Sequence, residues 1–213
     1  MLEGLTINAI GDSYLDGNGL DRDLVWLSLL AKKYNIKLNN YGKNGSSISN
    51  VPDRNPMCVR YERMEDNDPD IVLIEGGRND YNCAVALGET DSRDVSTFMG
   101  ALNVVIEGIK KKYPRAMIVC ITNWNYANTQ NREFGSEDYA NAMKRVADSN
   151  GVYCIMANDV SLTGVDMTSA YFRETYCQRP GDVSHLNSEG MKLVMPRFES
   201  LITECYKDFL SKK

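Results

Sequence analysis

Residues 70–80 read DIVLIEGGRND: four aliphatic residues after an aspartate, then a glutamate, two glycines and a polar tail. A continuous apolar run that ends in turn residues is typical of a parallel strand covered by helices on both faces. Apolar runs of similar length lie at residues 5–10, 116–121 and 152–156, and residues 36–41 form a further candidate. The sequence therefore predicts about five short strands.

Helical patterns separate these strands. Apolar residues recur at largely helical spacing, and the predicted helices cover residues 22–34, 57–64, 94–113, 136–150 and 187–210. Asp94, Ser136 and Asn187 have side chains that can cap helix starts. Strands that alternate with helical crossovers predict an α/β fold. We expect a three-layer α/β/α sandwich, flavodoxin-like, with a central parallel sheet of about five strands and a single domain over residues 1–213.

The composition narrows the class of protein. Hydrophobic residues make up 43% of the 213 residues and charged residues 25%, with a net charge of −5. These values are typical of a globular protein and argue against a nucleic-acid partner, which needs a basic excess. No apolar run approaches the ~20 residues that cross a bilayer, so no membrane span is expected. Residues 1–5 lack the features of a signal peptide, which predicts a cytoplasmic location, or secretion if a leader precedes the given chain.

The histidine and cysteine counts restrict the chemistry. His185 is the only histidine, so a metal centre that needs several imidazoles cannot be built within one chain. None of the six cysteines lies in CxxC spacing, which argues against zinc and thioredoxin-type sites. Cys120 and Cys154 fall in predicted core strands, where a free thiol behaves as a small apolar group. Reduced thiols are favoured over disulfides, and no metal or cofactor is expected.

Polar residues follow the carboxyl ends of the predicted strands. In open α/β sheets, ligands bind outside these ends. The candidates, in chain order, are Ser13, Gly45, Asn79, Trp124 and the pair Asp182 and His185. All of them are therefore expected on the same rim of the sheet.

Three of these residues suit nucleophilic catalysis. The Ser13 hydroxyl is a poor nucleophile unless a base takes its proton. His185 is the only imidazole, and its ordinary pKa suits proton transfer at neutral pH. Asp182, three residues earlier, can reach the other ring nitrogen and hold the tautomer. Each residue alone also has a plainer structural explanation, such as a helix cap for Ser13 or a turn for Asp182.

Four motifs together resemble one known family. GDSY at residues 11–14, NYGKNG at 40–45, GGRND at 76–80 and DVSH at 182–185 occur in the order of the blocks of the SGNH hydrolases, also called GDSL-like lipases or acylhydrolases. Tyr14 departs from the family's usual leucine. Any one motif is weak evidence, but their joint order is a specific signal.

The resemblance implies roles for these residues. Ser13, His185 and Asp182 would form a catalytic triad that works through an acyl-enzyme. The oxyanion of the tetrahedral intermediate would be held by the backbone N–H groups of Ser13 and Gly45 and by the side-chain amide of Asn79. Glycine at position 45 suits a donor that must approach the substrate closely.

The expected function is that of a serine esterase acting on a small-molecule ester with a short acyl or acetyl group, including esters of carbohydrates. The alternatives are a lysophospholipase or thioesterase-type acylhydrolase of the same family, or a non-catalytic relative that binds a glycan or acyl ligand. A metallophosphoesterase with oxygen ligands such as Asp12, Asp80 and Asp182 conflicts with the single histidine, because dinuclear centres normally use several.

Three further residues are candidate substrate contacts: Asp12, Arg78 and Trp124. Arg78 could bind an anionic group or form a salt bridge, with Glu75 as one possible partner. Trp124 lies in NWNYAN at residues 123–128. Its ring and the neighbouring asparagine amides resemble a sugar-binding surface. Alternatively, the ring packs on the domain and the asparagines form turns. Residues 157–181 could cover the site as a lid or wall.

Overall fold

The predicted parallel sheet forms the centre of the molecule. The computed structural model describes residues 1–126 and 133–213. The strands of this part of the chain are β1 (Thr6–Gly11), β2 (Lys37–Gly42), β3 (Ile71–Gly76), β4 (Met117–Thr122) and β5 (Tyr153–Ile155). They are parallel and lie in the order β2-β1-β3-β4-β5. This is the order of flavodoxin-like folds, so the expected architecture is confirmed.

Burial across the sheet explains the apolar runs. Every residue of β3 and β4 is buried, whereas most of β2, at the edge, is partly exposed. Ala9 in β1 pairs with Asn40 on one side and Leu73 on the other. A central strand has side chains covered on both faces and reads as a continuous apolar run, while an edge strand admits polar residues.

Helices cover both faces of the sheet. Those of the described residues are α1 (Ser13–Asp16), α2 (Trp26–Lys33), α3 (Met57–Arg60), α4 (Arg78–Asn82), α5 (Phe98–Lys112), α6 (Ser136–Ser149), α7 (Val160–Thr163), α8 (Ala170–Tyr176) and α9 (Ser188–Ser211). α2 packs against α9, where the Trp26 and Phe198 rings stack with centroids 4.2 Å apart. α5 packs against α6 and forms the other outer layer. None of these helices is long and apolar enough to cross a bilayer.

Two predicted helix starts are wrong. The helix expected from Asp94 begins at Phe98, because the Asp94 carboxylate accepts the N–H and Oγ–H of Ser96 and closes a separate turn. Ser136 is the first residue of α6 rather than its cap, and the Asp138 carboxylate accepts the Gly135 N–H at 2.8 Å. The prediction for α9 is confirmed, since the Asn187 side chain accepts the Gly190 N–H at 2.9 Å.

The strand order creates a crevice. From β1 the chain moves outward in one direction to β2, and from β3 in the other direction to β4 and β5. The order therefore reverses between β1 and β3, and such a switch point leaves a crevice at the carboxyl ends of these strands. The segments after β1, β2 and β3 all meet at this crevice.

Candidate active site

Ser13 lies in a tight turn between β1 and α1. Asp12 is the N-cap of α1, and its carboxylate accepts the Tyr14 backbone N–H at 3.0 Å. A side chain at position 11 would place its Cβ 2.6 Å from Leu15 Cδ1, so the turn requires Gly11 for lack of space. The turn holds the Ser13 hydroxyl at the carboxyl edge of the sheet.

Ser13, His185 and Asp182 form a continuous line of contacts. Ser13 Oγ lies 3.1 Å from His185 Nε2, and His185 Nδ1 lies 3.3 Å from Asp182 Oδ2. The other carboxylate oxygen of Asp182 accepts the backbone N–H groups of Ser184 and His185 at 2.8 and 2.9 Å. This carboxylate is therefore anchored to the backbone, and its second oxygen, beside Nδ1, favours the tautomer with Nδ1–H, which leaves Nε2 to accept a proton.

The surroundings keep the imidazole neutral. Burial lowers the pKa of His185 below its ordinary value, and the Asp182 carboxylate opposes this shift. The cations of Arg78 and Arg179 lower the pKa of His185 further. A neutral imidazole at neutral pH is the form that can take the proton of the Ser13 hydroxyl.

Two backbone donors are available at the rim. Among the described residues, the N–H groups of Ser13 and Gly45 donate to no other protein atom. Gly45 has φ of +73°, in the left-handed region, and a Cβ there would meet only Arg54 Nη1, at 3.7 Å. Backbone conformation rather than crowding therefore favours glycine at this position.

The amide of Asn79 is engaged within the protein. Its Nδ2 donates to Asp12 Oδ2 at 3.1 Å and to the Ser46 carbonyl at 3.0 Å. The structure thus places Asn79 beside the Ser13 turn and the Gly45 loop, as the sequence predicts. To serve a substrate, the amide must share or redirect one of its two N–H groups.

The Gly45 loop is held by two charged residues. The buried Asp80 carboxylate accepts the backbone N–H groups of Ile48 and Ser49, each at 2.9 Å. Arg60 donates to the carbonyls of Tyr41 and Gly11 at 2.8 and 3.0 Å, which ties the ends of β2 and β1 together. Nothing in the sequence around Arg60 indicates this role, because its acceptors come from separate segments of the chain.

Of these two candidate substrate contacts, Asp12 is used within the protein, whereas the role of Arg78 stays a prediction. Asp12 is fully buried, and its carboxylate oxygens are used by Tyr14 and Asn79. Arg78 lies over the Tyr126 ring, with its guanidinium carbon 3.5 Å from the ring centroid. No carboxylate of the described residues pairs with Arg78, so the suggested contact with Glu75 is not formed.

Trp124 belongs to the core rather than to an exposed surface. Its side chain is buried, with Tyr14 stacked on it at 4.8 Å and Phe198 packed at 5.7 Å between ring centroids. The Asn123 and Asn125 amides are used locally, by the Trp124 carbonyl and by Asp166. The ring therefore offers no face to a sugar. Residues 127 and 128 of the same motif lie outside the described residues.

The end of the segment 157–181 lies beside His185. The Gln178 backbone N–H donates to the His185 carbonyl at 3.0 Å. Its side-chain amide donates to the Gly17 carbonyl at 2.7 Å, just beyond α1. This segment thus connects the two parts of the chain that carry His185 and Ser13.

The described residues contain no group of three or more His, Cys, Asp or Glu side chains that could hold a metal ion. All six cysteines are free thiols. Burial raises the pKa of Cys177 to about 11, so this thiol is a poor nucleophile at neutral pH.

Comparisons with known proteins agree with the motifs. The family profile of the GDSL-like lipases/acylhydrolases matches residues 9–193. Among curated proteins, none matches the chain.

Solved structures share the fold over almost the whole chain. One is 26% identical, covers 95% of this chain and 98% of its own, and has a TM-score of 0.86. A protein from Lactobacillus plantarum is 23% identical, with coverages of 96% and 99% and a TM-score of 0.83. The psychrotrophic esterase EstA from Pseudoalteromonas sp. is 18% identical, with coverages of 93% and 97% and a TM-score of 0.68. These likenesses establish the fold.

Proposed function

Since the chain belongs to the GDSL-like lipase/acylhydrolase family, we propose that it is a serine esterase that cleaves carboxylic esters through an acyl-enzyme on Ser13. Membership supports a hydrolase of ester substrates. The observation that carries the mechanism is the 3.1 Å contact between Ser13 Oγ and His185 Nε2. This contact supports His185, the only histidine of the chain, as the base that takes the proton of this hydroxyl.

In the first half-reaction, Ser13 Oγ bonds to the ester carbonyl carbon while its proton moves to His185 Nε2. The positive charge on the imidazolium is stabilised by the Asp182 carboxylate at Nδ1. The carbonyl oxygen becomes an oxyanion. When the tetrahedral intermediate collapses, His185 returns the proton to the departing alkoxide, which leaves as an alcohol.

The oxyanion requires donors that point to where charge develops. The unpaired N–H groups of Ser13 and Gly45 can donate without breaking an existing bond. The Asn79 amide joins them when one N–H turns from its present acceptor, Asp12 or the Ser46 carbonyl, towards the oxyanion. Each such donor contributes about 3–4 kcal/mol to transition-state stabilisation.

In the second half-reaction, His185 takes a proton from water as the water oxygen attacks the acyl carbon. The same donors hold the second oxyanion. Collapse then breaks the bond between the acyl carbon and Ser13 Oγ, and the proton on His185 returns to the serine. The acid is released and the site is restored.

The substrate that we propose is an ester with a short acyl group such as acetyl. A long-chain lipase needs a broad apolar surface for the acyl chain, whereas the motifs on this rim are polar: GDSY, NYGKNG, GGRND and DVSH. Burial of Trp124 removes the argument for sugar stacking, although acetylated sugars still fit a polar rim. Comparing turnover across acyl chain lengths separates this proposal from the lysophospholipase and thioesterase alternatives.

The proposal is tested by labelling the folded protein with a fluorophosphonate and by hydrolysis of p-nitrophenyl acetate. Ser13 is expected to take the label, and Ser13→Ala is expected to lose both labelling and at least ~10³-fold in kcat. A matched control is Ser149→Ala, since the Ser149 hydroxyl donates only to a carbonyl within α6.

Hydrolysis that survives Ser13→Ala would contradict the mechanism. Absence of both labelling and turnover in the folded wild-type protein would instead favour the non-catalytic relative that binds an acyl or glycan ligand.

A further inference from the structure

Glu75 is a buried carboxyl that the proposed acyl transfer does not use. It follows the aliphatic run of β3 and is only 1% exposed. Burying a carboxyl costs free energy unless the group is neutral or hydrogen-bonded, and an aliphatic side chain would continue this strand without that cost. Stability of the strand alone therefore does not account for Glu75.

The Glu75 side chain crosses from β3 to the start of the nucleophile turn. Its Oε2 accepts the Asp12 backbone N–H at 3.2 Å. The same oxygen lies 2.8 Å from the point where a Cβ at position 11 would be, so Gly11 leaves the space that this carboxyl fills. Asp12 immediately precedes Ser13, and Glu75 thus supports the backbone from which the nucleophile projects.

Asp12 extends this support to two parts of the site. One of its carboxylate oxygens accepts the Tyr14 N–H at 3.0 Å and closes the turn that contains Ser13. The other accepts Asn79 Nδ2 at 3.1 Å. Through a single intermediate residue, Glu75 therefore contacts both the nucleophile turn and the proposed oxyanion donor.

The two carboxyls, both fully buried, cannot both be charged at low cost. Burial raises the pKa of Asp12 to about 6 and raises that of Glu75 well above its ordinary value, and the negative charge of Asp12 raises it further. Asp80 raises the pKa of Asp12, whereas Arg78 lowers it. The directions of these shifts favour a protonated Glu75 carboxyl beside Asp12.

We propose that Glu75 is a positioning residue for ester hydrolysis: its carboxyl accepts the Asp12 N–H and holds Asp12, and Asp12 in turn orients the Ser13 turn and the Asn79 amide. This inference rests on the proposed function, because its effect is on that reaction. A displacement of about 1 Å in reacting groups can cost ~10²-fold in rate. Loss of the Glu75 contact is expected to act in this way, with little effect on substrate binding.

The test compares Glu75→Gln with Glu75→Leu. Glutamine keeps an acceptor for the Asp12 N–H and a donor for its carboxylate and cannot ionise. Leucine keeps most of the volume and removes both. The measurements are kcat and KM for p-nitrophenyl acetate, the rate of Ser13 labelling by a fluorophosphonate, and a thermal melt to verify folding.

Asp70→Leu is the matched control. Asp70 lies at the other end of β3, where its carboxylate accepts the Thr6 N–H of β1 at 2.8 Å. The Asp70→Leu substitution therefore removes the same kind of bond between the same two strands, at the end away from Ser13.

Glu75→Leu is expected to lower kcat by ~10²-fold with KM changed less than ~threefold, and to slow labelling similarly. Glu75→Gln is expected to stay within ~tenfold of the wild-type kcat, and Asp70→Leu to leave kcat unchanged. A folded Glu75→Leu protein with wild-type kcat would overturn the proposal, as would equal losses in the Gln and Leu variants.

If Glu75→Leu does not fold, Glu75→Asp replaces it, since its shorter side chain keeps the acid but withdraws it from Asp12. A Glu75→Asp variant as active as Glu75→Gln would then overturn the proposal.

The same measurements separate this inference from the proposed function. A wild-type protein with neither turnover nor labelling refutes the proposed function, and this inference with it. An active wild type with no Glu75 effect refutes the inference alone.

Discussion

The two ends of the β1–β3 strand pair use the same kind of bond in different surroundings. At the amino end, the Thr6 N–H donates to Asp70, and at the carboxyl end the Asp12 N–H donates to Glu75. Asp70 is partly exposed to solvent, whereas Glu75 is buried. A carboxylate beside water keeps its charge without help, but a buried one needs a proton or a partner.

The neighbours of each end follow the same division. Near the amino end, Arg115 and Asp68 form an ion pair in which both side chains are exposed. Near the carboxyl end, Asp80 and Asn79 are buried and hydrogen-bonded to backbone or side chains of the site. This fold therefore concentrates its costly polar burial at the edge where chemistry is proposed.

The largest effect in this comparison is expected from Asn79→Ala. Removing an oxyanion donor is expected to lower kcat by ~10²–10³-fold and to change KM little, because the oxyanion forms mainly in the transition state. The measurement is steady-state hydrolysis of p-nitrophenyl acetate.

Asn67→Ala is the control for this change. Asn67 bonds the Asn8 amide with its own amide, at 2.8 and 3.1 Å, and lies away from the Ser13 turn. The kcat of the Asn67→Ala variant should equal that of the wild type. A rise in KM with unchanged kcat in Asn79→Ala would count against a role in the transition state.

A smaller effect is expected from pH. His185 acts as a base only when neutral, so kcat/KM should be retained above its pKa and fall ~tenfold per pH unit below it. Because burial lowers this pKa, the midpoint should lie below the ordinary value of 6.5. A pH–rate profile checks this, and Asp70→Asn, at the amino end, should leave the midpoint in place. A midpoint above 7 would contradict the neutral imidazole.

The smallest effect is expected at the amino end. Arg115→Ala removes an exposed ion pair with Asp68, and such pairs contribute little because water already solvates both charges. The melting temperature should change by no more than about 3 °C, with kcat unaffected. A larger loss in a thermal melt, or a drop in kcat, would show that the two ends are not as separate as the structure indicates.

Much of the fold followed from local pattern. The strands of the structure lie within about one residue of the predicted segments. For β3 and β4 the reason is burial on both faces, which leaves a continuous apolar run in the sequence. Helix starts were less predictable. Asp94 has a side chain that suits a helix cap, but its carboxylate accepts the Ser96 N–H in a separate turn. The hydrogen bond is of the kind that caps a helix, but it forms one turn before the helix begins.

Trp124 and the salt-bridge partner suggested for Arg78 show where the local sequence pattern fails. The local sequence of a tryptophan among asparagines is the same whether the ring faces solvent or the core. Trp124 is buried because Phe198 of α9, far along the chain, packs on its ring. Arg78 likewise contacts Tyr126, from the segment after a different strand. Neither partner is adjacent in sequence, so nothing near these residues signals the contact.

The amino-acid sequence was enough to assign the α/β class, to put the motifs on one rim and to name Ser13, Asp182 and His185 as candidates for one site. These depend on periodicity, on motif order and on there being one histidine. The folded chain was needed to show that the Asn79 amide donates to Asp12 and that Glu75 accepts the Asp12 N–H. Those contacts arise because parallel pairing aligns the carboxyl ends of β1 and β3, and a through-space alignment leaves no pattern along the chain.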